Sequence, residues 1–129
     1  MILNNIYYIK GLPGLYRVLC SNSNGIIVES IIDGRRRPVD NDGEIGCLGA
    51  MEVDTKNGAV PLATVFRNMK ESNLPMPSEN SERNVLLGYM FYMAEGLDKD
   101  KINTSYLRLI IKWFTLLNER VELATRTAA

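Results

Sequence analysis

The chain has no histidine. That removes the side chain that most often serves as general base near neutral pH and most often ligates metals. It has two cysteines, Cys20 and Cys47. Two thiolates without imidazole do not complete a tetrahedral zinc site. Both sit in apolar, strand-like surroundings, where a free thiol behaves as a small hydrophobe, so no disulfide is expected. Net charge is also absent: 15 basic residues balance 15 acidic ones. The balance is local as well, with six basic and seven acidic residues in 1–58 and nine and eight in 59–129. No whole-molecule field draws the chain to nucleic acid or to an anionic membrane.

Long apolar runs are missing too. A membrane span needs about 18 consecutive apolar residues, and the best run, 107–117, is broken by Arg108 and Lys112. The opening MILNNIYYIKG lacks an apolar segment with a small-residue cleavage site and reads as a strand. A cytoplasmic protein without membrane contact is the expectation.

Cofactor motifs fail in the same way. Gly43, Gly46 and Gly49 share a three-residue spacing, but no Lys-Ser/Thr ending and no helix follows them, so phosphate-loop chemistry is excluded. Residues 98–103 resemble a calcium loop, yet the glycine at position 6 is missing and Leu109 stands where the bidentate Glu belongs. Neither cysteine has an activating base, and no S-x-x-K spacing serves a serine nucleophile. The expectation is therefore no catalytic residue, no cofactor and no metal: a protein that is not an enzyme.

What is present is pattern. Tyr16, Val18 and Cys20 alternate with Leu15, Arg17 and Leu19, the two-residue period of a strand. Asn24-Gly25 is a hairpin signal, because glycine adopts the positive φ that such turns demand. Ile26 to Ile32 is β-branched. Asp33-Gly34 is a second turn and 35–39 a third strand, completing an antiparallel meander. Ile6, Tyr7, Tyr8 and Ile9 read as a strand at the start, and short strands are expected near 45–48 and 51–54. Gly46 and Gly49 mark a bulge or bend there. Short strands of this kind lose their edges by curling. The fold class expected is α+β: a small antiparallel five-stranded SH3-like or Greek-key barrel, then a helix and a C-terminal helical hairpin, with an open sheet backed by helices as the alternative. Turn residues 55–58 close the β part.

Pro61 suits the first turn of a helix, and Leu62, Val65, Phe66 and Met69 make its apolar stripe. The two prolines in 73–78 read as an extended linker. The domains are accordingly placed at 1–73, a barrel with a closing helix, and 78–129, a helical hairpin. The second helix begins near Ser81, buries Leu86, Tyr89, Met90 and Met93, and stops by Gly96. Asn103 or Thr104 caps the third, whose stripe is Leu107, Ile110, Ile111, Phe114 and Leu117, extended by Val121. Residues 125–129 are expected to fray.

These segments carry a resemblance. KGLPGLYRVLC, NGIIVES, PLATVFRNM and SYLRLIIKWFTLL together resemble a family of small uncharacterised bacterial proteins. The resemblance covers most of the chain and implies a β-rich N-terminal domain before a short helical C-terminal one, with no assigned activity. In that family a Ser-Asp pair opens the last helix and a Trp-Tyr pair lies within it. Ser105-Tyr106 and Trp113-Phe114 stand at those places here.

Two interaction readings remain. Arg35, Arg36 and Arg37 form the sharpest charge run, and adjacent guanidiniums suit phosphate. With Tyr7, Tyr8 and Tyr16 as stacking faces they would make a nucleic-acid site. A solvated strand edge protected against pairing explains the same run, and strand alternation divides three successive side chains between two faces. Trp113 either anchors the helical hairpin or forms a partner contact. The reading preferred is a non-catalytic protein-interaction or regulatory module, binding itself or another protein; the alternative is a nucleic-acid-binding module centred on the arginines.

Overall fold

Alternation along residues 7–47 builds one antiparallel sheet, and the residues paired across it share faces. The protein is described here from a computed structural model, over residues 3–40 and 44–119. The sheet holds β1 (Tyr7–Ile9), β2 (Tyr16–Asn22), β3 (Gly25–Ser30), β4 (Arg36–Val39) and β5 (Ile45–Cys47) in the order β4-β3-β2-β1-β5. The order is open. Among the described residues β4 and β5 are its two edges and do not pair, so the expected barrel is not formed. A three-residue β5 leaves too little ladder to close a shell. A Leu48–Ala50 3-10 turn follows it.

One face of the sheet is apolar. Ile9, Tyr16 and Val28 are buried there, with Leu12, Val18, Ile26 and Val39 packed against them. The register explains the set: Tyr16 lies opposite Tyr7 and Ser30, Val18 opposite Val28, Ile26 opposite Val39. A bulge between Val18 and Cys20 then breaks the alternation. Leu19 is the extra residue, and Cys20 pairs with Ile27 on the opposite face instead of following Tyr16 and Val18.

The run expected at 51–54 does not join this sheet. It is β6 (Glu52–Thr55), and it forms a separate hairpin with β7 (Gly58–Pro61). Asn57-Gly58 turns the hairpin, with Gly58 at φ +121°. Pro61 ends β7 and caps α1 (Leu62–Glu71), one residue earlier than its expected place inside the helix. α2 (Arg83–Met93) and α3 (Thr104–Asn118) follow. All four stripe residues of α1, all four expected of α2 and all five expected within 107–117 of α3 are buried. Asn103 caps α3, its Oδ1 accepting from the Tyr106 amide at 2.7 Å. Val121, the loop at 41–43 and the tail at 125–129 lie outside the described residues.

The described chain divides into two compact units, 3–51 and 52–119. The division falls at Met51, well before the proline segment at 73–78 where composition suggested it. The reason is packing. α1 contacts β6, β7 and α2, and α2 contacts α3. Phe66 of α1 meets Phe114 of α3 edge-on, with ring centroids 5.8 Å apart. The prolines thus lie in a loop within one core. No helix among the described residues is long and apolar enough to cross a membrane.

Candidate interaction surface

The second face of the sheet carries a charged row, with Cys20, Ile27 and Pro38 beside it. Tyr8 projects there from β1, since its neighbours Tyr7 and Ile9 belong to the apolar face. Arg17, Glu29 and Arg36 stand in one row across β2, β3 and β4. Arg36 Nε donates to Glu29 Oε2 at 3.3 Å. One carboxylate thus sits between two guanidiniums and spends part of their charge.

The arginine run is divided. Arg35 precedes β4, with Nε 3.8 Å from Asp33 Oδ2. Arg36 lies on this second face, while Arg37 pairs with Val28 and belongs to the apolar one. All three are exposed. The tyrosines divide too. Tyr16 is 5% exposed and its hydroxyl donates to the Pro13 carbonyl at 2.8 Å, so its ring is a core element. Tyr7 shares that face, and only Tyr8 stands with Arg17 and Arg36. The six residues of the sheet unit proposed as contacts from sequence do not share one face. Trp113 is 3% exposed and meets Tyr106 edge-on at 6.3 Å, which makes it a core anchor of α3.

A different surface emerges on α2. Its inward residues are Leu86, Tyr89, Met90 and Met93, but Val85, Phe91 and Tyr92 are 52%, 52% and 75% exposed. Gly88 lies among them on the outer side, and a Cβ built there meets no atom within 4 Å. The helix is apolar on both sides, although its inner side alone suffices to fill the core. Helical periodicity marks the inner stripe, because burial imposes that period. The outer apolar residues were legible as the remainder, Val85, Gly88, Phe91 and Tyr92 at helical spacing.

Similarity to known proteins covers the two parts unequally. Residues 3–46 match the model of a domain of unknown function, DUF5606. That match spans about a third of the chain and contains β1 to β4 with the first residues of β5. The α2 surface lies beyond it, and so does Trp113. The chain is also similar to a solution NMR structure of a structural-genomics target from Bacteroides vulgatus. The TM-score is 0.72 with 23% identity, covering 90% of this chain and 85% of that one. At this identity the likeness establishes the shared α+β fold. Both findings agree with the uncharacterised bacterial family that the sequence motifs resemble. No curated protein matches the chain.

Two side chains that sequence reasoning passed over organise the helical unit. Arg83 opens α2 and donates to Thr104 Oγ1 at 3.0 Å, to the Lys99 carbonyl at 2.8 Å and to the Ile102 carbonyl at 2.9 Å. It staples the connection between α2 and α3. Tyr106 donates its hydroxyl to the Glu52 carbonyl at 3.0 Å. Burial, then the charges of Asp54 and Glu52, push its phenol up to about 12. A charged residue at a helix start and a tyrosine off the stripe carry no sequence signal of such long-range bonds.

Proposed function

We propose that this chain is a non-catalytic protein-interaction module that contacts a second copy of itself through the outer face of α2. The observation that carries the reading is Gly88. A mid-helix glycine costs about 1 kcal/mol relative to alanine, and no atom of the described residues comes close enough to require the missing side chain. A backbone crossing from outside gives it a use. The face is also self-complementary. Asn84 and Val85 precede Gly88 by four and three residues, and Phe91 and Tyr92 follow by three and four. A two-fold axis through Gly88 sets the large rings of each copy over the small side chains of the other, the arrangement an isologous contact needs. Three exposed apolar side chains make a small patch, so the dimer is weak and reversible.

The non-catalytic half of the reading rests on the side-chain inventory. There is no histidine. Cys20 is exposed on a strand, and Cys47 points its thiol at the Leu3 carbonyl at 3.8 Å. A protein partner inside the cytoplasm suits this inventory better than nucleic acid, because the arginines and tyrosines are divided between two faces.

Sedimentation across a range of concentrations tests the proposal. Wild type is expected to shift from monomer toward dimer, and Tyr92→Ala to remain monomeric. Gly88→Ala separates this reading from a merely unexplained glycine. It is expected to raise thermal stability through helix propensity while weakening association. Association unchanged in Gly88→Ala, or a wild type that stays monomeric at every concentration, rejects the self-contact.

A further inference from the structure

A concave site of about 330 Å³ lies along α3 beside residues 79 and 80. Ser105, Arg108 and Lys112 line it from one face of the helix, spaced by three and four residues. Asn80, Leu109 and Glu79 complete the wall. Arg108 is held over the groove by a bond from Nη2 to the Ser81 carbonyl at 3.3 Å. Its remaining N–H groups have no described acceptor. Ion pairs elsewhere in the chain join Lys10 to Glu44, Arg35 to Asp33 and Arg36 to Glu29. Among the described residues neither Arg108 nor Lys112 makes an ion pair, although the two like charges repel across one helical turn. This is the reverse of the charged row on the sheet, where Glu29 stands between the arginines.

We infer that this groove binds a phosphomonoester whose alcohol part carries a hydroxyl or an ammonium group. Arg108 offers a planar pair of donors and Lys112 a point charge, and together they suit an oxyanion. The Ser105 hydroxyl and the Asn80 carboxamide add neutral donors to the same wall. Glu79 gives the site its selectivity. A bare anion meets repulsion from this carboxylate, whereas a ligand that presents a donor beside its phosphate satisfies it. Leu109 supplies an apolar floor for the carbon skeleton. The inference is independent of the α2 contact, because it uses another surface and another chemistry.

The test is an amide NMR titration of the full chain at constant ionic strength. Its probes are inorganic phosphate, glucose 6-phosphate and phosphoserine, with sodium chloride as the blank. Saturable shifts are expected at Asn80, Ser105, Arg108 and Lys112 for at least one ester, and weaker binding of inorganic phosphate. Which ester binds identifies the source of the phosphate group. Lys112→Gln, an exposed change with no described hydrogen bond or ion pair to lose, is expected to weaken binding about tenfold. Glu79→Gln is expected to narrow the preference for the esters over inorganic phosphate. Shifts that fail to saturate, that spread equally to Arg35, Arg36 and Arg37, or that persist unchanged in Lys112→Gln overturn the inference.

Discussion

Of the twelve largest fully buried side chains among the described residues, nine belong to residues 52–119, and three, Leu3, Leu15 and Leu48, to residues 3–51. The helical unit concentrates its stability in interlocked side chains such as Phe66 and Phe114. The sheet unit relies more on a continuous backbone ladder and on turns that only particular residues can make. Gly25 is one such residue. Its φ is +152°, and a Cβ there would lie 2.7 Å from the Val39 carbonyl oxygen. A unit held by packing is weakened by removing atoms, and a unit held by ladder and turn by adding one.

The sharpest way to break that contrast is Phe66→Ala. The residue is fully buried and has the aromatic neighbour Phe114, so the expected loss is about 3–5 kcal/mol of unfolding free energy. Chemical denaturation measures it. A loss below 1 kcal/mol would mean that the helical core does not depend on this packing. In the sheet, Gly25→Ala is expected to cost about 1–3 kcal/mol through backbone strain and the collision with β4. Amide hydrogen exchange should place the weakening first in β3 and β4. Equal protection in variant and parent contradicts the role assigned to the turn.

The smallest effect sharpens the picture within the helical unit. Tyr106→Phe removes one hydrogen bond to Glu52 and is expected to cost about 1 kcal/mol at neutral pH. The pH dependence carries more information. The phenol is held up to about 12 in the fold, against an ordinary value of 10.0. Between these values the unfolded chain has lost the proton and the folded chain keeps it. The fold therefore binds more protons, and stability falls as pH rises through this window. The contribution is whole below pH 10 and gone above 12. Phenylalanine does not titrate, so the difference between parent and variant should shrink across the window. A difference that stays constant would show that Tyr106 is not held protonated.

The elements themselves were legible in sequence, and their assembly only in part. Asn-Gly and Asp-Gly turns located the meander because local backbone geometry decides hairpins. The stripes of α1, α2 and α3 located the helical core because burial imposes a helical period. The barrel was misjudged because closure depends on which strand meets which. Residues 52–55 found their partner in 58–61, a run too short and too close to Pro61 to read as a strand. The boundary moved for a related reason: prolines report local chain conformation, while a unit is defined by long-range contacts such as Phe66 with Phe114. Among the candidate contacts, Tyr16 and Trp113 proved to be core. An aromatic residue looks the same in sequence whether it faces solvent or the interior. The charged row of the sheet was anticipated only by the alternation rule, which correctly divided Arg36 from Arg37.

Pro38 in the outermost strand β4 has a consequence for the molecule in bulk solution. A ladder grows when a newcomer strand finds amide hydrogens to bind, and this position has none to offer. On the far side β5 is three residues long and gives little purchase. Strand-by-strand growth of this sheet into fibrils is therefore discouraged at both rims, and a second copy arriving there finds little ladder to extend.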